Sequence, residues 1–150
     1  MNTLSENVVG SAEVLFYEKE KPGMGKGLFG QLILTNQRIV YVKYLEKSLL
    51  RREAKDYTSN IEEGLRNEGS LAIPVGQINE AKAERTWGTP YLKIRYLSSL
   101  GEKACSFIFR TPYAYYLPGV SSGGVSLRKG PIEELAKTIE QLKKEASARY

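Results

Sequence analysis

The stretch Leu32–Tyr41 reads Leu-Ile-Leu-Thr-Asn-Gln-Arg-Ile-Val-Tyr and decides the fold class. Its two ends are apolar and rich in the β-branched and aromatic residues that favour strands. Between them lies a polar turn, in which Asn tolerates left-handed backbone angles and Thr can bond nearby backbone groups. The stretch therefore predicts two antiparallel strands joined by a turn, with Thr35, Asn36 and Arg38 as structural turn residues.

Extended segments lie on both sides of this hairpin. Upstream, Glu13–Glu18 contains an apolar run and predicts a first strand, after which Lys19–Gly27 is a turn rich in glycine. Downstream, Tyr91–Leu97 alternates apolar and basic residues, as a strand with one exposed face does. Further strands are predicted at Leu71–Ile73, Val75–Trp87 and Lys103–Arg110, which makes six or seven strands in all.

Two segments have helical patterns. In the charged segment 45–70, apolar residues from Leu49 to Leu65 recur three to five positions apart, so we predict a helical insert there, with a mobile segment as the alternative. Pro131–Ala146 begins with proline, has acidic residues in its first turn and basic residues in its last, and carries one apolar stripe. It predicts an amphipathic C-terminal helix, which needs a sheet or barrel to pack against.

Composition limits the function classes. The length of 150 residues fits one domain, which we place at 12–150 after a lead-in at 1–11. No run approaches the ~20 apolar residues of a membrane helix, and no signal peptide is visible, so we expect a cytoplasmic protein. The chain has no histidine and one cysteine, Cys105, which we place in the core. We therefore expect no metal, no cofactor and no catalysis.

The order of strands and helix resembles the pleckstrin-homology-like (PH-like) superfold, a bent antiparallel sheet or partly open barrel capped by a C-terminal helix. Gly30–Tyr41 is similar to a strand pair of GRAM and of bacterial or archaeal PH-like domains. Glu13–Phe16 is similar to their opening strand, and Ile73–Ile78 to their Ile-Pro strand entry. The resemblance covers about residues 12–146, with the 45–70 insert set aside.

The resemblance implies a non-catalytic interaction module that binds a protein segment, including by strand addition to an exposed edge, or an anionic membrane surface. In lipid-binding PH domains the first hairpin loop holds a basic cluster, which here would be Lys19, Lys21 and Lys26. The pattern continues with two basic residues on the next strand. Leu28–Leu32 has none, which argues against an inositol phosphate as the ligand.

Two further segments could form a surface that binds a partner or that attaches the protein peripherally to a membrane. The insert carries basic residues beside apolar ones, as membrane-surface helices do; ion pairs on a solvated helix are the alternative. A tyrosine cluster in a Pro- and Gly-rich loop has the residue type that interfaces favour; covering a sheet edge is the alternative. The residues concerned are Arg51, Arg52, Lys55, Tyr113, Tyr115 and Tyr116.

The sequence also permits two other functions. A net charge of +5 and the strand that carries Lys93 and Arg95 permit a nucleic-acid-binding β-barrel, although no aromatic-basic RNA motif is present. An enzyme that uses carboxylates is the weaker alternative. Trp87, at a predicted strand end, is expected in the core or its rim. The sequence does not determine the oligomeric state or the identity of a partner.

Overall fold

The computed structural model describes residues 6–23, 27–44, 46–48, 51–52, 56–110, 113–116 and 127–148. Within these ranges the chain forms eleven strands and two helices. A short 3-10 turn, Val75–Gln77, joins the sixth strand to the seventh. The strands are β1 Val8–Tyr17, β2 Leu28–Thr35, β3 Arg38–Lys43, β4 Glu46–Ser48, β5 Arg51–Arg52, β6 Leu71–Pro74, β7 Ile78–Thr86, β8 Thr89–Ser98, β9 Gly101–Phe109, β10 Tyr113–Tyr116 and β11 Leu127–Gly130, and the helices are α1 Ile61–Leu65 and α2 Ile132–Ala148.

Seven strands form one antiparallel sheet in the order β6-β3-β2-β1-β9-β8-β7. The predicted hairpin is confirmed: β2 and β3 pair with Leu34 opposite Ile39 across the turn. The sheet does not close, because β6 and β7 stand at its two ends and each pairs with one described neighbour. The predicted architecture, a bent sheet with a C-terminal helix, is therefore confirmed.

The main core lies between the concave face of the sheet and α2. Strand side chains alternate between faces, so one face of the central hairpin joins Leu135 and Ile139 of α2 in a single buried cluster. Phe16 stacks on Tyr41 at 4.6 Å between ring centroids, and Phe107 lies 5.3 Å from Phe16. The helix thus covers the open side of the sheet.

A second buried cluster covers the opposite face of β2 and β3. It contains Ile33 and Val42 from the sheet and Tyr57 from the insert. Gly64 of α1 lies against Val42 so closely that an added Cβ would come within 2.7 Å of its side chain. The insert therefore packs on the sheet, and the hairpin is buried on both faces.

The expected helical insert is corrected in extent. The described part of 45–70 contains a short hairpin, β4 with β5, and the helix is limited to Ile61–Leu65. The spacing of apolar residues from Leu49 onward misled because a few such residues can fall three to five positions apart in a short segment that is not helical. The folded segment is instead tethered by Gln31, whose side chain donates to Asp56 and accepts from the Tyr57 amide, at 2.9 and 2.8 Å.

The expected loop after β9 is also corrected. Tyr113–Tyr116 is a strand, β10, which pairs with Gly10 and Ser11 of β1 and with β11. It extends the sheet along the part of β1 that β9 does not reach, since β9 pairs with β1 from Val14 to Tyr17. The first strand begins at Val8, inside the predicted lead-in.

Candidate functional site

The turn between β2 and β3 is held by a local network. The Thr35 hydroxyl is buried and accepts hydrogen bonds from the amides of Gln37 and Arg38 at 3.1 and 3.0 Å. Arg38 donates to both carboxylate oxygens of Glu6, at 2.8 and 3.1 Å, and to Glu62 at 2.6 Å. One arginine therefore joins the N-terminal segment, the turn and helix α1.

Glu6 makes this network sensitive to pH. Burial raises the pKa of the Glu6 carboxyl, but the hydrogen bonds from Arg38 and Thr35 outweigh burial and hold the pKa below its ordinary value of 4.5. A carboxyl whose pKa is lower in the folded state than in the unfolded chain stabilises the fold above the unfolded pKa. This contribution is lost as the pH falls through the folded pKa.

We expect Glu6→Gln to lower the free energy of unfolding by about 1 kcal/mol at neutral pH, since it removes a charged bidentate pair. The gap to the wild type should close as the pH falls below 4.5, because the wild-type carboxyl is then protonated as well. Urea unfolding at a series of pH values measures the gap. The exposed Glu68→Gln serves as the control and should follow the wild type, and a gap that persists in acid would contradict the assignment.

The predicted anion-binding and partner residues are only partly described by the structure. Lys19 and Lys21 are exposed in the β1–β2 connection, where they alternate along the chain with the exposed residues Glu18 and Glu20. Lys26 and Lys55 lie outside the described residues. The backbones of Arg51 and Arg52 form β5, and those of Tyr113, Tyr115 and Tyr116 belong to β10.

A cluster of charges that the sequence did not reveal lies on the outer face of β7 and β8. Lys93 is only 6% exposed, and its ammonium lies 3.0 Å from Glu84, 3.1 Å from Glu80 and 3.6 Å from Glu20. Tyr91 donates to Glu84 at 2.9 Å, and Arg95 bonds Glu20. Each described carboxylate of the cluster thus faces a cation.

The pKa directions in this cluster do not favour acid–base catalysis. Hydrogen bonds from Lys93 and Tyr91 lower the pKa of Glu84, and the hydrogen bond from Arg95 lowers that of Glu20. Burial, followed by the bond to Glu84, raises the pKa of Tyr91. Carboxyls with lowered pKa values are weak general bases, and a phenol with a raised pKa is hard to ionise. These groups therefore form a network of ion pairs and hydrogen bonds and are poorly suited to proton transfer.

An open groove of about 480 Å³ runs between strand β7 and helix α2. Its floor is made by small side chains, Ala81 and Ala83 on β7 and Ala136 on α2, which leave space between strand and helix. Its rim is charged and polar. The rim residues are Lys82, Glu133, Lys137, Glu140, Gln141 and Lys144.

Strand β7 offers a free edge along this groove. It is nine residues long and, among the described strands, pairs with β8 alone. At its start, the Lys143 ammonium of α2 donates to the Asn79 carbonyl at 2.7 Å, beside a bulge between Ile78 and Glu80. Beyond that tie, Ala81 of β7 and Ala136 of α2 belong to the same buried cluster, and the groove lies over them between strand and helix. An unpaired edge of this length can pair with a further strand.

The turn after β7 presents an exposed tryptophan. Trp87 and Gly88 form the two-residue turn to β8, both with positive φ, of 51° and 79°. Trp87 is 101% exposed, so the indole makes no lasting contact with its own domain. The expectation of a core or rim position is wrong for this residue. Tight turns of this kind favour Asn-Gly, so turn chemistry does not account for a tryptophan here.

The sequence carried one weak signal for this region. The small residues Ala81 and Ala83 alternate with charged ones in β7, where a core-facing strand would have larger apolar residues. Nothing in the sequence shows that this strand is an edge or that α2 lies beside it, because both facts depend on the order of strands in the sheet. The Trp87-Gly88 pair was visible, but its exposure was not.

The comparisons with known proteins support the fold through structure and not through sequence. No model of a known protein family matches it, and no curated protein matches it. A solved structure described as the Vps36 N-terminal PH domain is similar, with a TM-score of 0.54 and 14% identity over 99% of this chain and 86% of that one. None of the described helices is both long and apolar enough to cross a membrane. The architecture and this likeness together show that the chain has a PH-like fold.

Proposed function

We propose that this chain is a cytoplasmic, non-catalytic interaction module that binds an extended protein segment by strand addition to β7. The observation that carries the proposal is the free edge of β7 beside an open groove. Main-chain hydrogen bonds to the edge would supply affinity, and pockets for alternate side chains would supply specificity. The groove between Ala83 and Ala136 has room for the side chains of such a segment.

The other end of the sheet is a poorer acceptor. Strand β6 has four residues and ends at Pro74, which lacks the N–H group that a further strand would need. Strand β7 has nine residues and no proline. If a strand adds to this sheet, the comparison of the two edges favours β7.

Blocking the groove tests the proposal. We expect Ala83→Tyr to weaken the binding of groove-directed peptides about tenfold or more, because the ring fills the space that the segment needs. The probe is a displayed library of random peptides, selected on the wild type and then measured one by one by fluorescence anisotropy. Ala72→Tyr is the matched control, since Ala72 is exposed on β6 at the opposite edge, and it should bind like the wild type.

Two results would contradict strand addition to β7. One is a selection on the wild type that enriches no peptide. The other is a set of enriched peptides that bind the Ala83→Tyr and Ala72→Tyr variants equally well. Hydrogen exchange adds a direct readout, because a paired segment should protect amides of β7 that exchange freely in the unbound protein.

The alternative partners find less support. A nucleic acid would need free cations on the strand that carries Lys93 and Arg95, and both side chains are bonded to carboxylates. An anionic membrane would need a strongly basic first loop, but Glu18 and Glu20 offset two of the three lysines of residues 18–27. Filter binding with single-stranded nucleic acid and flotation with phosphatidylserine vesicles are the corresponding assays.

A further inference from the structure

Three features of the β7–α2 region point to the chemistry of the segment that would bind there. They are the spare positive charge of the groove, the length of its strand edge, and the exposed indole at the end of that edge. Each of these features limits the partner in a different way. The resulting inference rests on the proposed strand addition to β7.

The lining of the groove carries a small excess of positive charge, because Lys82 lies 3.7 Å from Glu84 and Glu133 offsets part of the charge of the other two lysines. Three lysines and two glutamates line it. Of the glutamates, Glu140 is already 3.4 Å from Lys143, which lies outside the groove. Lys137 and Lys144 are exposed, and within the described part of the chain no carboxylate lies within ion-pair distance of either. Because they are seven residues apart, they lie on one side of α2, about two turns from each other.

The edge of β7 leads directly to Trp87. From Ala81 to Trp87 the strand rises about 20 Å, at about 3.3 Å per residue. Along α2 the groove residues from Glu133 to Lys144 span about 16 Å, at 1.5 Å per residue. A segment of about seven residues that pairs with β7 would therefore run past both lysines and end beside the indole.

The turn fixes the backbone that carries that indole. Its two-residue length is set by the pairing of Thr86 with Thr89. The Arg85 guanidinium donates to the Gly88 carbonyl at 3.4 Å across the turn. Tryptophan adds a large rigid contact area at low conformational cost, and it is enriched among residues that dominate binding energy.

We propose that the groove and Trp87 form one site, which takes an acidic extended segment that carries an apolar or aromatic side chain at the end packed on Trp87. Carboxylates of the segment face Lys137 and Lys144. The apolar side chain removes the indole from water and supplies the anchor. Neither the groove nor Trp87 alone specifies a segment. Together they define the charge of the segment, its length and one terminal residue.

Trp87 provides its own probe, because it is the only tryptophan in the chain. Peptides enriched from the displayed library on the wild type should be acidic with one apolar or aromatic end. On binding, they should shift indole emission to the blue and reduce quenching by acrylamide. Whether the apolar or aromatic residue lies before or after the acidic residues in the enriched peptides also shows the direction in which the segment pairs with β7.

Two variants separate the contributions. Trp87→Asn keeps a residue that suits the turn and should weaken binding about tenfold or more. Reversal of the charge at two of the groove lysines, Lys137→Glu with Lys144→Glu, should weaken binding by a similar factor or more. It should also invert the dependence on salt, because salt then screens a repulsion. The matched charge control is Lys103→Glu, exposed on β9, which should bind like the wild type. Thermal melts of all variants verify that the fold persists.

The outcomes distinguish this inference from the proposed function. If peptides are enriched and need the open groove, but are neither acidic nor apolar at one end and leave Trp87 emission unchanged, the inference fails and strand addition stands. If no peptide needs the groove, both fail. If phosphatidylserine vesicles alone shift the emission and flotation is lost in Trp87→Asn, the indole belongs to a membrane contact and the inference is overturned.

Discussion

Replacing Leu135 by alanine is expected to lower the free energy of unfolding by about 2–5 kcal/mol. Leu135 is 1% exposed and belongs to the main cluster between α2 and the sheet. It also lines a small cavity of about 10 Å³, together with Ala12, Leu32 and Leu34. Truncation would enlarge this cavity, and neighbours held in strands can relax only in part, so the lost contacts are not recovered.

Urea denaturation of the wild type and of the Leu135→Ala variant measures this effect. The control on the same helix is Lys137→Ala, because Lys137 is exposed and a surface substitution in a helix changes stability by less than ~0.5 kcal/mol. A loss below ~1 kcal/mol for Leu135→Ala would mean that α2 is not docked on the sheet. In that case the groove beside β7 would have no fixed second wall.

Replacing Gly30 by alanine is expected to destabilise the protein by about 3 kcal/mol or more. Gly30 lies on β2 opposite Lys43 of β3. An added Cβ would come within 2.2 Å of the Val42 carbonyl oxygen and 2.6 Å of the Tyr41 ring. The first of these atoms is backbone, so it cannot rotate away. The two strands would have to separate, which also disturbs the aromatic stack of Tyr41 with Phe16.

Gly76 provides the matched control for this substitution. An added Cβ at Gly76 would meet no atom within 4 Å. Gly76→Ala should therefore leave the free energy of unfolding unchanged or raise it by up to ~1 kcal/mol, because alanine reduces the entropy of the unfolded chain. Equal urea midpoints for Gly30→Ala and the wild type would show that β2 and β3 approach less closely than this geometry requires.

Most of the architecture was predictable from local patterns. The hairpin at Leu32–Tyr41 and the helix near Pro131–Ala146 have periods of two and of about 3.6 residues, which differ enough to be told apart in a single sequence. Glycine and proline mark most of the turns. These signals are local, so strands, helices and turns can be recognised from them without knowing which other elements each one contacts in the fold.

The predictions that were corrected concern segments whose structure depends on distant contacts. Tyr113–Tyr116 resembles a loop by its proline and glycine neighbours, yet it forms β10 because β1 has an unpaired edge there. The 45–70 insert has a helical pattern over a longer stretch than Ile61–Leu65. Much of its structure follows from covering Ile33 and Val42 on the sheet. Neither requirement can be read from the segment itself.

By itself, the sequence determined the types of most elements, the absence of histidine chemistry and the PH-like order of strands and helix. It did so because period, turn residues and composition act within a few positions of the chain. Only the tertiary structure decided that β7 is an edge, that a groove opens between its small side chains and α2, and that Trp87 is exposed at its end. An edge and a groove are relations between elements far apart in the chain, so no local pattern contains them.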